Sequence, residues 1–218
     1  MATLLQLASI VQNTINGGWG VINENIHINQ IKDEIVMTSR RLFDEYRRNG
    51  FFSDYELSQF YQRINCIELV CRPLTECCGI DLQSEQKVLY AKIPPVIDVR
   101  YVGSMDYYES FLIKTGTTLN IFGVGRFTRN KPIAWIRGNT ELIIINPPTY
   151  DLQYIAIEAF FQDPRELYQY DCAVCKSDED AFPIPDKFAD IITGKLIASY
   201  VQYKQIKPLQ SNTQTDIV

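Results

Sequence analysis

The segment Phe182-Pro-Ile-Pro-Asp186 dictates where the chain can be helical and where it cannot. Pro183 and Pro185 exclude a helix upstream, because each pyrrolidine fixes φ and removes a backbone donor. Pro185 suits the threshold of a first helical turn, and the Asp186 carboxylate sits favourably at the positive end of the helix that follows. Phe188, Ile192, Leu196, Ser199 and Tyr203 then recur on one face, which predicts a helix over residues 186–207 that Pro208 stops. The stretch Ser211-Asn-Thr-Gln-Thr-Asp-Ile-Val218 is polar and too poor in apolar groups to hold itself in place. A packed helix that hands the chain to such an arm suits a subunit reaching toward a neighbour, whereas composition alone is also that of a frayed C-terminus. The residues expected at that contact are Phe188, Ile192, Tyr203, Asp216, Ile217 and Val218.

A chain of 218 residues with 46% hydrophobic and 12% aromatic content can bury a core, and one domain with appendages is expected. The net charge of −5 argues against general affinity for nucleic acid, which shows as a basic domain. No stretch approaches the roughly 18–20 apolar residues that span a bilayer, so no membrane partner is expected. Met1-Ala-Thr-Leu-Leu-Gln-Leu has neither a positive flank nor a small-residue cleavage site, so it does not read as a signal peptide. Synthesis in cytoplasm follows, with the six cysteines reduced.

The hydrophobic period changes along the chain and divides it into residues 1–65, 66–170, 171–208 and 209–218. In the first region, Leu4, Leu7, Ala8 and Val11 make a short amphipathic helix that Gly17-Gly18 ends. Ile28, Ile31, Ile35, Leu42 and Tyr46 make the stripe of a longer one, closed by Asn49-Gly50. Ser53 with Glu56 forms a capping box that opens a helix over 54–63. In the second region, residues 96–102, 119–122, 133–136, 141–145 and 154–160 alternate or run apolar as strands do. Gly138-Asn139 between two of them predicts a two-residue hairpin turn. The remaining regions are a cysteine-containing loop leading to the last helix, and a C-terminal arm. The expected architecture is α+β, with N-terminal helices and a C-terminal helix packed with a central antiparallel, meander- or sandwich-like β region.

No catalytic constellation emerges. His27 is the sole histidine and lies in Asn-Ile-His-Ile-Asn without a partner for acid–base work, so it reads as a surface or capping residue. Phe122-Gly-Val-Gly-Arg126 lacks the third glycine and following helix of a phosphate loop. Cys172-Ala-Val-Cys175 has zinc-knuckle spacing, and Cys71 with Cys77 or Cys78 would complete four thiolates, stapling the loops on either side of the sheet. A zinc-stapled protein-binding module is thus the alternative function, against reduced cysteines acting as small apolar residues and no cofactor. Arg40-Arg41 and Arg47-Arg48 repeat after two helical turns and could line a DNA channel, or pair within the helix as Arg40–Asp44 and Arg41–Glu45. Tyr101, Asp106-Tyr107-Tyr108-Glu109 and Tyr168-Gln-Tyr170 interleave aromatic and charged groups as protein contact surfaces do, and as residues at a sheet edge equally would.

The segment Asp180-Ala-Phe-Pro-Ile-Pro-Asp-Lys-Phe-Ala-Asp-Ile-Ile192 resembles the acidic, aromatic, Pro-x-Pro and helix element of neck proteins of crAss-like bacteriophages. The early helix around residues 33–48, the segment from Cys66 to Cys78 and the stretch Glu158-Ala-Phe-Phe-Gln-Asp-Pro164 fit the same layout. The resemblance implies a non-enzymatic virion protein, a ring or adaptor subunit of the head-to-tail connector. Its implied partners are copies of itself, the portal protein and the adjacent neck or tail rings, with DNA only as the genome in transit.

Overall fold

The computed structural model describes residues 2–17, 26–50, 53–73, 87–115, 131–148, 152–170 and 177–210. The chain forms two compact units, Met1–Phe60 with Ser177–Val218, and Tyr61–Lys176.

In the first unit, helix α1 (Leu4–Asn16) starts at a capping box in which the Thr3 hydroxyl accepts from the Gln6 amide and the Gln6 side chain accepts from the Thr3 amide. Gly17 ends it at φ 84°, a left-handed turn that glycine adopts freely. Leu4, Leu7, Ala8, Val11 and Ile15 form its buried face. Helix α2 (Ile28–Asn49) opens on His27, whose Nδ1 accepts from the Asn29 amide at 3.2 Å. The lone histidine is therefore a helix cap. Ile31, Ile35, Val36, Leu42 and Phe43 are buried, and Gly50 closes the helix at φ 65°. Helix α3 (Asp54–Ser58) has the predicted Ser53–Glu56 box but is shorter than expected, because the chain turns into a strand at Gln62.

Helix α4 (Asp186–Gln210) begins where Pro185 predicts and runs through Pro208 instead of stopping there. A proline in a last turn forfeits one backbone bond without ending the helix outright. Its buried face is Phe188, Ala189, Ile192, Leu196 and Tyr200, while Ser199 is exposed. Phe60 meets Phe43 and Phe188 edge-on with centroids 5.3 and 5.4 Å apart, and Tyr46 meets Phe188 at 5.1 Å. Each such pair adds about 0.5–1.5 kcal/mol beyond area burial. The return segment is zipped to the N-terminus: the Phe182 amide donates to Ala2 C=O, the Leu5 amide to Asp178 C=O, and Lys32 pairs with Asp178 at 2.6 Å.

The second unit contains eight described strands: β1 (Gln62–Glu68), β2 (Val70–Pro73), β3 (Lys87–Lys92), β4 (Val96–Gly103), β5 (Leu112–Thr115), β6 (Ile133–Arg137), β7 (Glu141–Ile145) and β8 (Tyr154–Phe161). They form an antiparallel sheet, β1-β8-β4, and a mixed sheet, β2-β3-β7-β6-β5, in which β5 runs parallel to β6. Ile64, Val102, Ile155 and Ile157 of the first sheet share one apolar core with Ala134, Ile136, Leu142 and Ile144 of the second. The α+β class therefore holds. The expected strands over 96–102, 133–136, 141–145 and 154–160 are β4, β6, β7 and β8, and the one over 119–122 lies outside the described residues. The β6–β7 turn has three residues, since Arg137 faces Glu141, but Gly138 and Asn139 are both left-handed, at φ 59° and 63°.

Phe188 is wholly buried at the centre of the aromatic cluster. Phe188→Ala is expected to cost about 3–5 kcal/mol, read as a lower urea midpoint of the helical unit.

Candidate interaction surface

Two of the expected contact residues, Phe188 and Ile192, are fully buried within the helical unit and present no surface to a partner. The period that singled them out marks the core face of α4, not its outward face. Tyr203 lies on α4 with its side chain outside the described residues, as do Asp216, Ile217 and Val218 entirely. Of the expected zinc ligands, Cys71 is exposed and unbonded on β2, whereas Cys77, Cys172 and Cys175 lie outside the described residues. Cys66 is disulfide-bonded, which departs from the expectation that all six cysteines are reduced.

The four arginines of α2 do not behave alike. Arg40 is half-buried, and its Nε has no hydrogen-bond partner. Arg41, Arg47 and Arg48 are exposed. The helical pairs expected to neutralise them do not form: among the described residues neither Arg41 nor Arg48 makes an ion pair, and Glu45 faces Lys195 of α4 at 3.9 Å. A cavity of about 560 Å³ lies along α2 and α4, lined by Met37, Arg41, Glu45, Lys195 and Ser199 among others. Met37 is half exposed there. Beneath, the Tyr200 hydroxyl is buried facing Glu34 but outside hydrogen-bonding geometry; burial first, and the negative neighbour second, push its pKa well above the ordinary value of 10.0.

The β4–β5 loop is the second surface. The Ser104 amide donates to Glu109 C=O, the Glu109 amide to Ser104 Oγ, and the Tyr108 amide to Asp106 Oδ1 at 3.0 Å. The Tyr101 hydroxyl shares its proton between Ser104 C=O at 2.8 Å and Glu109 C=O at 2.9 Å. Burial raises the Tyr101 pKa, so this donor stays protonated. Tyr107 is held at φ 63°, a conformation that strains an aromatic residue by about 1–3 kcal/mol. The surroundings offset that strain. The Arg63 guanidinium stacks 3.4 Å from the Tyr107 ring centroid and donates to Met105 C=O, and the Tyr107 hydroxyl donates to Glu158 at 3.2 Å.

The loop therefore presents Met105, 52% exposed, and Tyr108, 88% exposed, on a rigid support. With Leu152 and Tyr154 they line a cavity of about 540 Å³. The interleaving of Tyr107 and Tyr108 with acidic groups was legible in sequence; Met105, Tyr154 and Met37 carried no such signal, because a lone exposed apolar residue has no period. Tyr170, read as a contact residue, instead packs partly buried against the β core. Among the described residues no helix is long and apolar enough to cross a membrane.

A family model described as phage tail ring protein 2 matches residues 22–203. No curated protein matches the chain.

A Cβ at Gly103 would lie 2.0 Å from Glu109 C=O and 2.6 Å from the Tyr101 hydroxyl. Gly103→Ala should cost about 1–3 kcal/mol and change the tyrosine near-ultraviolet circular dichroism. Hydrogen bonds from Ser104 and the Tyr108 amide hold the Asp106 carboxyl below its ordinary value of 3.8. The folded loop thus favours the carboxylate: its order is complete above the ordinary range and is lost as pH falls through the lowered pKa. The Tyr108 amide resonance should report that loss, and Asp106→Asn should remove its pH dependence.

Proposed function

Because the chain belongs to the phage tail ring protein 2 family of crAss-like phage ring proteins, we propose that it is the repeating subunit of a ring in the portal-proximal neck. There it links portal to tail and surrounds the DNA exit path. The family places it among structural virion proteins that assemble as rings in the tail; the neck position, the portal contact and the DNA path are the finer reading. The match over residues 22–203, which takes in residues of both compact units, carries the proposal.

Two physical features support it. A subunit around passing DNA has to avoid gripping it, and a net charge of −5 opposes the counterion-release binding that basic domains achieve. A ring subunit also needs preorganised surfaces for its neighbours, and the β4–β5 loop is one, rigid beneath and aromatic at its tip. On this reading the partners are copies of the chain, the portal and the adjacent rings. The chain is made in the bacterial host cytoplasm and incorporated into the virion, and the segment 211–218 is an assembly arm.

Native mass spectrometry of the full chain, alone and mixed with the portal oligomer of the same phage, tests the proposal. A discrete ring, or many copies bound to the portal, is the expected result. A monomer that ignores the portal would overturn the neck assignment. A monomer that also loses one bound zinc to chelator would favour the zinc-stapled module.

A further inference from the structure

We propose that the loop tip of residues 105–109 on one copy seats on the α2–α4 face of the next copy. Asp106 meets Arg41, and Met105 with Tyr108 enters the groove beside Met37, which Arg41 also lines. The inference rests on the ring reading above and names the contact that would close the ring.

A closed ring built from one kind of chain uses two different patches, each complementary to the other. The described residues hold two patches of opposite chemistry. The tip carries Tyr108 at 88% and Met105 at 52% exposure, together with an exposed Asp106 carboxylate that forms no ion pair among the described residues. The α2 face carries Met37, Arg41 and Arg48 along one side of the helix, and both guanidiniums lack an ion-pair partner there. Arg41 is available because Glu45, one turn on, faces Lys195 at 3.9 Å. Glu34, on the same face, is engaged by Gln30 at 3.3 Å. Asp44 lies between the arginines and repels the incoming carboxylate, which is therefore placed at the Arg41 end of the face, beside Met37.

The energetics favour this pairing over a face left to solvent. A groove of about 560 Å³ has room for large side chains from the tip. Tyr, Met and Arg are the residues that interface centres favour, and a guanidinium against an exposed tyrosine ring adds cation–π attraction. The tip is already ordered by the Tyr101, Ser104 and Arg63 contacts, so docking costs little conformational entropy.

Native mass spectrometry of the full chain would compare wild type with Asp106→Arg, Arg41→Asp and the double variant. A copy carrying benzoyl-phenylalanine at position 108 would be photocrosslinked to isotope-labelled partner copies. Each single reversal is expected to weaken assembly by about tenfold or more, the double variant to restore it, and the crosslink to map to residues 37–48 of a different copy. The photocrosslink reads the contact without altering a charge, so it stands even if a reversal impairs folding. A ring that forms normally in both single variants, with the crosslink elsewhere, overturns the contact and leaves the ring reading intact. A wild-type chain that forms no ring, alone or on the portal, overturns both. If Arg41→Asp spares the ring but abolishes retention of double-stranded DNA, the arginines are a DNA track and the proposal falls.

Discussion

The edge-on packing of Phe60 against Phe188 and Phe43 is the contact on which the helical unit depends. Phe60 is the last residue before the chain leaves that unit, and Phe188 stands in the first turn of the helix after it returns. The aromatic cluster therefore fastens together two stretches separated by the whole of Tyr61–Lys176. Backbone bonds between residues 2–5 and 178–182, and the Lys32–Asp178 pair, reinforce the same junction. The energetic logic is that of an insertion: closing a long loop costs entropy that grows only slowly with length, so a few well-packed rings suffice to hold the ends. The β unit can then fold on its own core.

Within the β unit, the β4–β5 loop shows how strain is held. A left-handed tyrosine survives only where its neighbours over-determine it. Here Arg63 covers the ring of Tyr107, Glu158 accepts a hydrogen bond from its hydroxyl, and the Tyr101 hydroxyl donates to the carbonyls on both sides of the turn. Gly103 is required because a side chain there would strike the Glu109 carbonyl. Such order at an exposed tip buries no core of its own, since Met105 and Tyr108 remain 52% and 88% exposed.

The charges are also distributed unevenly. Local helical pairing would have neutralised α2, but Glu45 lies 3.9 Å from Lys195 of α4, and Arg41 has no ion-pair partner among the described residues. An acidic chain with a local basic edge offers an acidic patch and a basic patch to partners of complementary charge.

Helix starts, the ends of α1 and α2 and the place of the β6–β7 corner were legible because they are local chemistry. Ser53 caps because its hydroxyl reaches an amide three residues on; Gly17, Gly50, Gly138 and Asn139 turn because they tolerate positive φ. The apolar run at residues 154–160 likewise announced β8. Strands β1 and β3 were illegible, since Gln62-Arg-Ile-Asn-Cys-Ile-Glu68 mixes polar and apolar positions that only the β8 partner sorts into faces. The sequence by itself determined the α+β class, the caps and the start of α4, because each depends on residues within a turn of one another. Only the tertiary structure decided that Phe188 and Ile192 are core and that Arg41 has no ion-pair partner among the described residues, because burial and pairing depend on residues far away in the chain.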